Sequence, residues 1–156
     1  MSGRMPGTTK VFNFLDSFRD DSIVDREGVP GTAWLSLPGY FHSHGYWTRG
    51  TGKLFHPNLP PDNDNAYGSW SVNATDPGGN QGCTCPSSGV PGAPMYCRLP
   101  ENTTCPDVSI AESVVSQLQE WHGATESGAI QQPFFIGMGI HKPHLPWGVP
   151  GSFFDQ

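Results

Sequence analysis

The chain has 156 residues, a formal net charge of -6 and a pI near 5.3, the size of one ordinary domain. No basic cluster occurs, which excludes a nucleic-acid-binding surface, and the longest apolar run, Phe134 to Ile140, is far below the ~20 residues that span a bilayer. With Gly 20, Pro 16, 14% charged and 35% hydrophobic residues, the composition predicts a loop-rich chain that leans on neighbouring structure.

Gly3 to Asp21 opens on a Gly/Pro/Thr turn and continues through Val11-Phe12-Asn13-Phe14-Leu15-Asp16-Ser17-Phe18. The aromatics at 12, 14 and 18 fit neither the helical nor the strand period, which predicts an irregular, partly buried stretch. Asp20 to Thr32, punctuated by Gly28-Val29-Pro30-Gly31, reads as a surface loop. Leu35 to His44 predicts a short helix. Pro38 suits its first turn, Leu37, Tyr40 and Phe41 share a face, and Gly45 stands where a C-capping glycine belongs. His42 and His44 on this helix read as surface histidines.

The next stretch, Gly45-Tyr46-Trp47-Thr48-Arg49-Gly50-Thr51-Gly52-Lys53-Leu54-Phe55-His56, concentrates the chemistry. It reads as a short strand, Tyr46 to Arg49, entering a glycine-punctuated turn from which Lys53 and His56 project. Gly50 and Gly52 allow positive φ or a close backbone approach. A lysine supplies a mobile positive charge with three donors, and a histidine exchanges a proton near neutral pH. The pair suits an anion, a phosphate or a sulfate, beside a reacting group.

Pro57 to Trp70 predicts a coil, and its Asp62-Asn63-Asp64-Asn65 cluster a solvated loop. It lacks the glycine and the twelfth-position glutamate of an EF-hand. Tyr67 to Val72 predicts a short strand that docks the loop through its aromatics. Asn73 to Pro106 is the least regular part and holds all four cysteines, Cys83, Cys85, Cys97 and Cys105. Their Cys-x-Cys spacing does not match structural zinc sites, and Asn73-Ala74-Thr75 and Asn102-Thr103-Thr104 are glycosylation sequons. Two disulfides are therefore predicted, in any of three pairings.

Ser109-Ile110-Ala111-Glu112 is a capping box that opens a helix ended by Gly123, with Ile110, Val114, Val115, Leu118 and Trp121 on one stripe. After a polar connection, Phe134 to Ile140 predicts a buried parallel strand, completing an α/β unit. His141-Lys142-Pro143-His144 leaves the carboxyl end of that strand, where open α/β sheets place ligands. Pro143 and Pro146 stiffen the exit. The start, Met1-Ser2-Gly3-Arg4-Met5-Pro6, has no signal-peptide core although sequons and cysteines point to the secretory route. The end, Phe153-Phe154-Asp155-Gln156, has no terminal cap, so the sequence reads as a piece of a longer protein.

Three of these stretches, in the same order, resemble the sulfatase family. Gly45-Tyr46-x-Thr48-x-x-x-Gly52-Lys53-x-Phe55-His56 is similar to its second signature, with Thr51 where a small or aliphatic residue is usual. Extended through Pro57, it resembles the iduronate-2-sulfatase branch. Ser2 to Lys10 is similar to the segment after the family's nucleophile motif, and Pro133 to Pro146 to the branch's strand carrying His-Lys-Pro-His. The resemblance runs over most of the chain and is weakest between about Asn73 and Cys105.

The resemblance implies an incomplete alkaline-phosphatase-like α/β/α sandwich. Residues 1–156 would be part of the N-terminal catalytic domain, with 73–106 a cysteine-containing loop insertion and a disulfide ending at Cys105-Pro106. The activity implied is sulfate-ester hydrolysis by a formylglycine, made from a cysteine in Cys-x-Pro-Ser-Arg, whose hydrate attacks sulfur beside a calcium ion. That motif does not occur here, and the calcium ligands are expected outside this sequence. Lys53 would contact the hydrate and sulfate oxygens, and His56 would orient or deprotonate the hydrate. His144 would contact the sulfate and protonate the leaving oxygen, with His141 the second choice by a neighbouring register. His141 and Lys142 are also candidate substrate-binding residues. The implied partner is a sulfated carbohydrate or other sulfate ester, and the implied location lysosomal or secreted. The chain alone is expected not to hydrolyse such esters.

Two other readings compete. One is a non-catalytic secreted binding module on the same scaffold; an in-frame Cys-x-Pro-Ser-Arg encoded just before Ser2 would speak against it. The other is a phosphatase or phosphodiesterase of the related fold, with a Thr or Ser nucleophile and two zinc ions, in which Lys53-Leu54-Phe55-His56 has no counterpart.

Overall fold

The structure, a computed structural model, describes residues 1–56, 59, 61–77, 83–86 and 89–155. Pro57, Asn58 and Pro60 of the predicted coil, residues 78–82 and 87–88 of the cysteine loop, and Gln156 lie outside the described residues. The elements run α1 (Pro6–Thr9), α2 (Leu37–Ser43), β1 (Trp47–Gly52), β2 (Tyr96–Leu99), α3 (Pro106–Glu126), β3 (Phe134–Gly139) and β4 (Trp147–Pro150). Short 3-10 turns occupy Gly31–Ala33, Asp62–Tyr67 and Gly151–Phe154.

β1 and β3 pair in parallel, Trp47 opposite Phe134 through Gly52 opposite Gly139. α3 covers one face. Arg49 Nη1 donates to Glu120 at 2.6 Å, Thr51 Oγ1 donates to Ser113 at 3.3 Å, and Trp121 meets Phe134 edge-on at 4.8 Å. On the other face the Phe41 ring of α2 stacks on Phe135 at 4.4 Å, and the Thr48 hydroxyl donates to Ser69 O. The result is a small helix–sheet–helix sandwich, loop-rich as its composition predicts and consistent with part of an alkaline-phosphatase-like fold. β2 and β4 make a second two-stranded parallel sheet.

Several local expectations need correcting. β1 runs on to Gly52, so Gly50 and Gly52 lie in the strand rather than in a turn. They are glycines because neighbours press on the backbone: a Cβ at Gly50 would sit 2.5 Å from Leu54 Cδ1 and 2.8 Å from Trp70 Cη2. Tyr67 to Val72 is not a strand. Its tail lies along the outer edge of β1, with Ser71 N–H donating to Thr48 O, but the Ser71 hydroxyl takes the Thr48 amide and breaks the ladder. α2 is capped by Ser36, whose hydroxyl accepts from Gly39 N–H, and it buries Pro38 and Gly39 while Leu37 and Tyr40 stay exposed.

α3 starts at Pro106, with Cys105 as its N-cap, so the Ser109–Glu112 box lies inside the helix. Gly123 does not end it either: the helix runs through to Glu126, and the glycine that takes the left-handed φ beyond it, +75°, is Gly128. Ile110 is fully buried, whereas Val115 turns outward and Gln117 takes a buried position. Of the early aromatics only Phe18 is buried; Phe12 and Phe14 are about 70% exposed, at 71% and 72%. β3 is parallel as predicted but only half covered, with Phe134 and Met138 exposed and its far edge unpaired among the described residues.

The Asp62-Asn63-Asp64-Asn65 cluster is not simply solvated. Asp62, Asn63 and Asp64 all take positive φ, which turns the Asp64 side chain inward to complete burial. There Arg19 grips it through Nε at 2.7 Å and Nη2 at 2.8 Å, Ser69 Oγ donates at 2.5 Å, and Arg19 Nη1 donates to Trp34 O. The guanidinium lies over the Tyr67 ring at 4.4 Å. One buried ion pair thus ties together three loops that share no regular structure.

The cysteines form Cys83–Cys105 and Cys85–Cys97, closing separations of 22 and 12 residues. Replacing Cys83 and Cys105 together by alanine is expected to cost about 3 kcal/mol through the freed unfolded chain. The urea midpoint reads this loss; an unchanged midpoint would show that the bridge constrains nothing.

Candidate functional site at the carboxyl edge of the sheet

The register places Gly52 opposite Gly139, and Lys53 N–H donates to Gly139 O at 2.8 Å. Both positions require glycine. Gly52 has φ +79° and its Cβ would lie 2.2 Å from Gly139 O, while a Cβ at Gly139 would lie 2.3 Å from the Lys53 carbonyl carbon. Lys53 and the His141 segment therefore leave the same end of adjacent parallel strands, side by side.

Beyond Gly139 the chain is held by carboxylates. Asp107, in the first turn of α3, accepts from His141 N–H at 2.7 Å and from Lys142 N–H at 3.1 Å. His144 N–H donates back to His141 O at 3.0 Å, closing a turn that contains the cis Lys142–Pro143 bond. The largely buried His141 ring faces Asp76, Nε2 to Oδ2 at 3.2 Å. Lys142 Nζ donates to Pro146 O at 2.7 Å; burial pushes its ammonium below the ordinary lysine pKa, and the Asp107 carboxylate opposes that shift.

His144 is exposed, and its Nδ1 lies 2.6 Å from Leu145 O. A carbonyl only accepts, so Nδ1 carries the proton and Nε2 is the nitrogen left for a ligand. His141, Lys142 and His144 line one cleft of ≈ 180 Å³ with Cys83, Asp107 and Leu145.

His56 lies elsewhere. With Phe14, Phe18, Phe55 and Pro61 it lines a second cleft of ≈ 230 Å³, its ring 5.1 Å from that of Phe14. Lys53 lines neither cleft. The structure thus brings His141, Lys142 and His144 together, sets Lys53 on the same sheet edge, and gives His56 a cavity of its own.

Of the other histidines, His42 Nδ1 bonds Gly68 O at 2.7 Å, tying α2 to the end of the Asp62–Tyr67 turn, and His44 Nδ1 bonds Tyr40 O of α2 at 2.8 Å. The sequon residues Asn73 and Asn102 are exposed. Among the described residues no three His, Cys, Asp or Glu side chains gather as a metal-holding group that could bind the implied calcium. No helix is long and apolar enough to cross a membrane, among the described residues. Asp76 and Asp107 were not foreseen as part of the site. Asp107 lies ahead of the helix start expected at Ser109, and its hold on residues 34 and 35 positions later is purely tertiary.

No family model matches the chain. Over nearly all of its length the chain is similar to known sulfatases. It is similar to iduronate 2-sulfatase of Homo sapiens, 27% identical across 98% of this chain and 27% of the relative. The Mus musculus iduronate 2-sulfatase is 29% identical over the same shares. A sulfatase of Formosa agariphila is 28% identical across 99% of this chain and 30% of its own. The chain therefore spans less than a third of the length of these relatives.

Proposed function

We propose that this chain carries the anion-gripping and proton-transferring residues of a sulfuric ester hydrolase, iduronate-2-sulfatase-like, acting on sulfate esters of a sugar. The observation that carries the reading is the register Gly52 opposite Gly139, which launches Lys53 and His-Lys-Pro-His from one sheet edge. In this reading the ester lies across that edge, with His56 on one side and His144 on the other. Lys53 neutralises charge that builds on the sulfate oxygens. His144, as imidazolium, delivers its Nε2 proton to the departing oxygen. His56 orients or deprotonates the nucleophile, a formylglycine hydrate supplied by residues outside this sequence, as calcium ligands would be. His141 is already committed to Asp76, which supports His144 as the proton donor. We place residues 1–156 in the N-terminal part of a catalytic domain, and propose glycosylation at the exposed Asn73 and Asn102 and a lysosomal or secreted location.

The test is a titration with sodium sulfate, followed through the imidazole nitrogen resonances. The His144 and His56 rings are expected to respond in the wild-type chain. Lys53→Ala should weaken the affinity about tenfold, the worth of one charge-assisted hydrogen bond. Rings that ignore sulfate would overturn the reading.

A further inference from the structure

We infer that Asp107 is a positioning residue: its one carboxylate sets the backbone from which the His-Lys-Pro-His segment addresses an oxyanion. The inference rests on the sulfate reading above. β3 ends at Gly139, so the amides of His141 and Lys142 have no strand to pair with. Both instead donate to Asp107, one to each oxygen, at 2.7 and 3.1 Å. Two adjacent peptide planes held by one rigid acceptor lose their rotational freedom together, and a charged acceptor makes each bond stronger than a neutral one would. The carboxylate is itself anchored, because Cys105, two residues earlier, is both the N-cap of α3 and one end of the bridge to Cys83. From this fixed backbone the His141 ring reaches Asp76, and the turn closed by His144 N–H sets the His144 ring in the cleft.

A simpler role for Asp107 would be to place negative charge at the amino end of α3, which stabilises a helix wherever the charge sits in that turn. The two roles separate in Asp107→Glu, which keeps the charge and moves the oxygens by one methylene. Asp107→Asn keeps the shape and gives up one of the two acceptors. Sodium sulfate affinity, read from the histidine rings, is expected to fall about tenfold or more in both variants, by the worth of a charge-assisted bond. Asp107→Glu should retain the wild-type thermal midpoint. In the wild-type chain the His141 and Lys142 amide protons should exchange slowly, and in Asp107→Asn at least one of them should exchange fast.

Wild-type sulfate affinity in both folded variants would overturn the positioning role while leaving the sulfate reading intact. Fast exchange of both amides in the wild-type chain would overturn it without any variant. Wild-type rings that do not respond to sulfate overturn the reading itself, and this inference falls with it.

Discussion

Replacing Asp64 by alanine is expected to cost about 3–5 kcal/mol, because it leaves a guanidinium buried with no counter-charge. The Arg19 side chain is 2% exposed and that of Asp64 0%, so water cannot reach in to compensate. Against a total stability of about 5–15 kcal/mol for an ordinary domain, that is a large share. Urea unfolding followed by tryptophan fluorescence reads it, since Trp34 and Trp70 are buried in the loops that the pair joins. Removing both charges with Arg19→Met and Asp64→Leu should be milder than either change alone, because no orphaned charge remains. A loss below about 1 kcal/mol in Asp64→Ala, the range of exposed pairs, would show that the site is wet.

Gly52→Ala is expected to be comparably damaging and to reach the site as well. The residue sits at φ +79°, and its new Cβ would fall 2.2 Å from Gly139 O and 2.9 Å from Ile110 Cδ1. A left-handed alanine costs about 1–2 kcal/mol and overpacking about 1–3. The clash can be relieved only by moving β1 from β3, which breaks the Lys53 N–H to Gly139 O bond. Stability and sulfate affinity should therefore fall together. Gly45→Ala makes the control, for Gly45 has φ +81° but nothing within 4 Å of its Cβ, so it isolates the backbone penalty. Equal losses at the two positions would mean that the strand contact contributes nothing.

What could be read from the residues was whatever their neighbours in sequence decide. The apolar run at Phe134 announced a strand, the stripe from Ile110 to Trp121 a helix, and the paired cysteines an oxidised loop. Misreadings arose where a distant partner decides. Gly50 and Gly52 looked like a turn because the Trp70 ring and Gly139 that require them are far along the chain. Asp64 looked solvated among Pro, Asn and Asp because its arginine lies 45 residues away. β4 passed unnoticed between Pro146 and Pro150, residues that ordinarily argue against a strand. At the site, the strand-end placement of Lys53, His141 and His144 was legible. The carboxylates of Asp76 and Asp107, and the separate cavity of His56, follow from packing that no local pattern encodes.

Lys53 and the histidine segment owe their spacing to two residues that have no side chains. With no side chain at either position, backbone alone sets that spacing, and on the sulfate-ester reading proposed above the loops beyond could vary to take a different alcohol. On that reading the gap proposed for the anion would stay the same width throughout.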